Sequence, residues 1–356
     1  MKKLFTLILL FTASHCMMAQ TIDGAAVVRY FELTDSLKQG KSISPTTWKA
    51  FLNMEGNRLY IKNMAHTDAF LERYRKTMEI VYMPKNDSIL QKRLQNSQQN
   101  YLTYTIHQYK ANEHALRQYF AGITSDKQAY LAAMYEKCFT MLPKKLQNQK
   151  PETTIYFIAL DNDAVAQSGN LILNLWGSYN FDKIKPGILA GHEIHHLLWE
   201  PKKYDVAEKD KSLFYMLNLL MNEGAPDLID KKLTSSPGMP EEMKFGEYML
   251  QAGQKALPMV DEAIRNISAG NKNYSNNEIR QQVTSMSGHI PGFYMADIIE
   301  RNGLREKLVK NIQNPFQFIY LYNKAAKKDK TKPFVFSDQA IAYLKKVEAA
   351  ASQHKN

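Results

Sequence analysis

Cysteine is almost missing from this 356-residue chain, with only 2 in all, so a disulfide scaffold is excluded. No apolar run approaches the roughly 20 residues needed to span a bilayer. There is no glycine-rich phosphate loop and no serine or cysteine nucleophile motif. Acid is also short: 35 Asp and Glu face 46 Lys and Arg, a net charge of +11. That balance favours anionic surfaces in general but names no partner. Aromatics are plentiful, and 20 Tyr with 16 Phe exclude a low-complexity tail. With 44% apolar and 23% charged residues, the chain is long and apolar enough to bury a sizeable core.

Lys2 and Lys3 precede the short apolar run Leu4 to Phe11, and Met17-Met18-Ala19-Gln20 closes the segment. A basic start, a short apolar core and a small residue describe a secretory signal peptide over residues 1–20, cleaved after Ala19 or Gln20. Export to the periplasm or the exterior follows. A lipoprotein anchored through Cys16 is the alternative, although His15 sits where such signals carry a small residue. Cleavage removes Cys16 and two lysines, and leaves Cys138 with no internal disulfide partner.

Residues 21–150 read as a helical region. Tyr30-Phe31, Leu33 and Leu37 recur at helical spacing, and so do Leu71, Tyr74, Met78 and Val81. Ser44-Pro45 looks like a cap followed by a first-turn proline. The polar, basic stretch Lys144 to Pro151 marks a boundary before the region 151–356. There Thr153 to Leu160 is β-branched and aromatic, and a second strand is expected over Leu171 to Trp176. Helical periodicity resumes near Pro186. The expected fold is α+β, mostly helical with a small sheet near the middle of the chain.

The chemistry concentrates in Gly191-His192-Glu193-Ile194-His195-His196-Leu197. On an α-helix, residues i and i+4 share a face with Cβ atoms about 5–6 Å apart. His192 and His196 can therefore meet one Zn²⁺, while Glu193 projects beside the metal and can accept a proton from metal-activated water. Pro186 and Pro201 bracket the expected helix. A catalytic zinc takes three protein ligands and keeps one open position. Downstream, the apolar helix Leu213 to Met221 runs into Asn222-Glu223-Gly224-Ala225-Pro226-Asp227. A carboxylate at the end of such a helix is costly to bury without a partner, which makes Glu223 the third ligand. Asp227, four residues on, is placed to accept the outer N–H of a ligand histidine. His195 reads as structural; His66, His107 and His114 are isolated, and the charged run Lys327 to Lys332 reads as a solvated loop rather than a nucleic-acid site.

The pattern His192-Glu193-x-x-His196 with Glu223-x-x-x-Asp227 resembles the gluzincin metallopeptidases, the thermolysin-like clan. The stretches Met221 to Asp227, Gly288 to Asp297 and Asn314-Pro315-Phe316 are similar to a family of secreted bacterial zinc-dependent proteases. The resemblance covers roughly Ile155 to Ala326, and Pro226 departs from a regular helix between Glu223 and Asp227. It implies a zincin-like sheet and helix arrangement. It also implies an edge strand before the active-site helix along which peptide aligns, here through Leu171, Leu173, Asn174 and Leu175. A Tyr or His that stabilises the oxyanion is implied as well, with His289 and Tyr294 as candidates.

The expected function is secreted zinc-dependent peptide hydrolysis. The cofactor is Zn²⁺ and the substrate a peptide or protein, with no nucleic acid, no transmembrane segment and an open oligomeric state. Two other readings use the same residues: a zinc-containing protein that binds a peptide or polymer without cutting it, and a basic polyanion-binding protein with an incidental motif.

Overall fold

The structure, a computed structural model, describes residues 20–236 and 238–353. The Cys16 assignment and residues 1–19 of the signal-peptide assignment lie outside the described residues; its last residue, Gln20, pairs with Thr153 in the sheet. Eight helices fill the N-terminal part: α1 (Ala25–Lys38), α2 (Pro45–Leu52), α3 (Glu55–Asn63), α4 (Asp68–Tyr82), α5 (Asp87–Leu94), α6 (Tyr101–Ala111), α7 (Glu113–Ser125) and α8 (Lys127–Phe139). α2 begins as its sequence signal requires. Pro45 takes the first helical position, and the Ser44 hydroxyl accepts the Thr47 N–H at 3.1 Å.

Four strands form one sheet: β1 (Gln20–Asp23), β2 (Thr153–Ile158), β3 (Val165–Gln167) and β4 (Asn170–Asn174). The order is β1-β2-β4-β3; β1, β2 and β4 run parallel, and β3 pairs antiparallel with β4. β1 lies beyond the Lys144–Pro151 boundary expected from composition, yet Gln20 to Asp23 pair with Thr153 to Tyr156. A continuous apolar cluster from Ile22 to Val347 joins the two regions.

The second strand is shorter than its sequence suggests. It stops at Asn174, whose side chain accepts the Gly177 N–H at 3.0 Å and caps helix α9 (Leu175–Ile184). The capping carboxamide overrides the β-propensity of Leu175-Trp176. Nor is this strand an edge. β4 lies between β2 and β3, and Leu171, Leu173, Asn174 and Leu175 are fully buried. Asn174 also takes the Tyr109 hydroxyl at 2.8 Å and donates to the Leu160 carbonyl at 2.9 Å. These four residues are core and cap, and the outer strand on that side is β3.

The remaining helices are α10 (Ile188–Leu198), α11 (Lys211–Gly224), α12 (Asp227–Asp230), α13 (Gly246–Ser268), α14 (Asn276–Glu278), α15 (His289–Arg301), α16 (Arg305–Lys310), α17 (Pro315–Ala326) and α18 (Asp338–Gln353). Among the described residues, no helix is long and apolar enough to cross a membrane. Cys138 is a free, buried thiol in α8.

Two close backbone approaches fix where α10, α11 and α15 sit. α10 lies on α8 through Gly187, which has φ +75°, and Gly191; a Cβ on Gly191 would stand 2.7 Å from the Lys137 Cβ. α11 crosses α15 at Gly224 and Gly292, where a Cβ on Gly292 would meet the Leu220 carbonyl oxygen at 2.4 Å. Rigid backbone cannot yield as a side-chain tip can. Gly292→Ala is therefore expected to cost about 1–3 kcal/mol in denaturant unfolding. Gly122→Ala in α7, with nothing within 4 Å of the new Cβ, is expected to be neutral or to gain up to about 1 kcal/mol. Equal midpoints for the two variants would refute the close crossing.

Candidate metal centre

α10 is a largely apolar helix that carries His192 and His196 one turn apart. Ile188, Leu189, Ile194 and Leu198 anchor it in the core, and His192 and His196 share the face turned towards α11 and α12. Their ring centroids lie 4.9 Å apart at 72°. α11 ends beside them and delivers Glu223, whose Oε2 is 3.5 Å from His196 Nε2. The donor atoms of His192, His196 and Glu223 all lie within 4.8 Å of one another. Ligands on a tetrahedral ion with bonds of about 2.0–2.1 Å are separated by about 3.4 Å, so the spacing suits zinc.

The outer atoms of the two histidines are already engaged. His192 Nδ1 is 3.0 Å from Asp230 Oδ1, so it carries the proton and donates to that carboxylate. Asn222 donates through Nδ2 to Glu223 Oε1 at 2.9 Å, which turns its Oδ1 towards His196 Nδ1 at 3.1 Å. His196 must then donate there as well. In each ring Nδ1 faces its acceptor, which leaves Nε2 as the atom available to a metal; burial disfavours charge on His192, but the Asp230 carboxylate outweighs it and raises that pKa. Burial lowers the His196 pKa against the pull of Glu223, which favours the neutral ligand form. Burial would raise Glu223, but His289, His196 and His192 overcome it and hold that carboxyl down to about 2.

Asp227 does not take the place expected of it. Its Oδ1 stands 3.8 Å from His192 Nδ1, outside hydrogen-bond range, while both its oxygens lie 3.1 Å from His289 Nδ1. Pro226 is the reason: it breaks the helix after Gly224 and starts the single turn α12. That turn carries Asp227 to one side, towards α15, and brings Asp230 under His192. Asp230, Asn222 and Lys231 were not foreseen from sequence. A short turn opened by proline and bearing carboxylates three residues apart was the available signal for Asp230; Lys231 had none.

His289 starts α15 directly after Gly288, which has φ +103° and presses on the Leu219 carbonyl. Ser285, Met286 and Ser287 before it also have positive φ, a strained lead-in of the kind found at functional sites. His289 Nε2 points at Glu223 Oε2 from 3.3 Å. Burial disfavours its charge, but Asp227 and Glu223 outweigh that and raise its pKa to about 9. His289 is absent from the groups whose donors converge within 4.8 Å, so it stands beside the metal group as a cation and hydrogen-bond donor.

Tyr294 is not brought to this place. It packs against Tyr322 with centroids 6.5 Å apart, and its hydroxyl is influenced by Arg301, Asp329 and Asp297. Five residues after His289, it lies about 140° around the helix. His195 is fully buried on another face of α10, and burial keeps it neutral.

Glu193 is buried, and no side-chain hydrogen bond involves it among the described residues. Burial raises its pKa to about 7, with Asp163 and Glu223 adding to the effect and His192 and Lys231 opposing it.

A second convergent group, His192, Asp227 and Asp230, already has its cation. Lys231 Nζ lies 2.6 Å from Asp230 and 3.5 Å from Asp227, over the Phe245 ring at 5.6 Å. Asp227 and Asp230 are fully buried, whereas His196, Glu223 and His289 side chains keep 16%, 14% and 26% of their surface exposed. The centre thus has a closed ionic base and a face open to solvent. Removing one partner of a buried ion pair costs about 3–5 kcal/mol, so Lys231→Met is expected to lose stability of that order in chelator-treated protein. Lys231 holds the folded Asp230 pKa below its unfolded value of about 3.9. That stabilisation is present above pH 4 and is lost as pH falls through the folded pKa. The deficit of the variant should therefore be full at pH 7 and shrink in acid; a deficit independent of pH would refute the ion-pair account.

Residues 48–331 match the family described as "Putative zinc dependent peptidase (DUF5700)". No curated protein and no solved structure matches the chain.

Proposed function

The chain belongs to that DUF5700 family, and on this premise we propose that it hydrolyses peptide bonds at a zinc held by His192, His196 and Glu223. The observation that carries the reading is the convergence of these three donors with both outer histidine nitrogens satisfied. A zinc bound there supplies Lewis acidity to the scissile carbonyl and lowers the pKa of a water molecule.

The chain's own residues do the rest. Glu193 is a buried carboxylate with a pKa raised to about 7. It is thus suited to take a proton from the attacking water and deliver it to the leaving amine. His289, charged and fixed by Asp227, donates through Nε2 towards the developing oxyanion. Asp230 and Asn222 hold the ligand rings, and Lys231 neutralises the acids beneath. Peptide aligns by main-chain pairing on β3, the outer strand next to α10, in place of the buried β4. An N-terminal signal peptide would place this activity outside the cytoplasm.

Elemental mass spectrometry of residues 21–356 should find near one zinc per chain in the wild type. His196→Ala and Glu223→Ala should lose it. Zinc content unchanged in either variant would remove that ligand, and none in reconstituted, folded wild type would remove the reading.

Glu193→Gln should keep the metal and lose about 10²–10⁴-fold in peptide turnover. His289→Gln should also retain zinc while kcat falls more than KM changes. Full turnover of a casein digest by Glu193→Gln would refute the base assignment.

A further inference from the structure

A groove of about 960 Å³ opens between α4 and α6, with Asp161 in its lining. This lies at the upper end of ordinary ligand sites, roughly 300–1,000 Å³. Its floor carries the buried threonines Thr77, Thr103 and Thr105, and Phe70, Ile80 and Leu102 form apolar walls. Arg73, Lys76 and Arg93 place three cations in the lining.

The arginines are the informative feature. Arg73 rests over the Phe70 ring at 5.4 Å, and Arg93 donates to the Thr103 hydroxyl at 3.3 Å. Neither forms an ion pair among the described residues. Most other arginines of the chain do: Arg29, Arg58, Arg75, Arg117, Arg265, Arg301 and Arg305 each hold a carboxylate, and among the described residues only Arg280 is similarly without one. Two guanidiniums without counter-ions therefore converge on one groove.

One loop is shared by the groove and the candidate metal centre. Asp161 lines the groove, and the next residue, Asn162, donates to the hydroxyl of Tyr101 on its rim at 2.8 Å. Asp163 of the same loop acts on Glu193, and β3 begins at Val165.

We propose that the groove binds an acidic segment of the polypeptide substrate, with Arg73 and Arg93 taking carboxylates. The substrate class rests on the peptidase reading, whereas the binding itself does not. Guanidinium forks match carboxylates and phosphates alike. Glu72 and Asp161 lie in the same lining and disfavour a phosphodiester chain, whose charges are fixed in its backbone. The carboxylates of a polypeptide sit on flexible side chains that can turn away from them.

The test is fluorescence anisotropy at fixed salt with the full mature chain. The probes are labelled hexaglutamate amide, hexaglutamine with a free C-terminal carboxylate, and a hexadeoxythymidine. Wild type should bind hexaglutamate amide, and Arg73→Gln/Arg93→Gln should weaken it about tenfold or more. Arg73→Lys/Arg93→Lys should restore part of the affinity. Lys327→Gln/Lys328→Gln, which removes the same charge elsewhere, should leave it unchanged. Hexaglutamine binding that depends on both arginines would assign the site to the C-terminal carboxylate, and its absence to acidic side chains. No hexaglutamate binding, equal loss in the Lys327/Lys328 variant, or tighter arginine-dependent binding of hexadeoxythymidine would overturn the proposal. Binding should persist in Glu193→Gln and after chelation, so failure of the peptidase reading leaves a different signature.

Discussion

Burying His192, Glu193, Glu223, Asp227 and Asp230 within one cluster would cost several kcal/mol for each uncompensated charge, and the surrounding structure is arranged around that cost. Lys231 offsets Asp230 and Asp227 from below. Each aspartate then holds one imidazole, Asp230 that of His192 and Asp227 that of His289. Glu223 is held in the charged form by the histidines around it. Only Glu193 lacks a matching hydrogen bond among the described residues, and burial accordingly raises its pKa. One cluster thus contains a carboxylate kept anionic and a carboxylate kept near neutrality. That divergence is what the proposed roles of Glu223 as ligand and Glu193 as base require.

Backbone contact sets where these groups meet. Helices normally pack 8–10 Å apart with side chains between them. Glycines at Gly224 and Gly292 remove the spacer, so the end of α11 and the start of α15 touch directly. This brings Glu223 within 3.3 Å of His289, although 66 positions separate them in the chain. Gly187 and Gly191 do the same for α10 on α8. A methyl group at any of these contacts would displace a helix that carries His192, Glu223 or His289.

The sheet positions the cleft in a second way. Asn174 ends β4, caps α9 and hydrogen-bonds the segment that closes β2, so one buried amide ties strand, helix and loop together. The outward register falls to the three residues of β3. The loop between β2 and β3 then supplies Asp161 to the groove lined by Arg73 and Arg93, and Asp163, whose charge acts on Glu193.

Local sequence was sufficient for whatever depends on a few consecutive residues. The spacing of His192, Glu193 and His196 follows from the helical repeat, and the apolar approach to Glu223 marks a carboxylate that needs a partner. The mostly helical chain with a small sheet was legible from periodicity and β-branching. Tertiary structure alone decided which strand lies outside, because edge or centre is a property of neighbours far along the chain. It also decided that Asp230 rather than Asp227 supports His192, that Tyr294 faces Tyr322, and that Lys231 neutralises the base. In each case several positions in the sequence carry suitable chemistry. The choice among them depends on how helices cross, a distance of a few ångströms that no local pattern encodes.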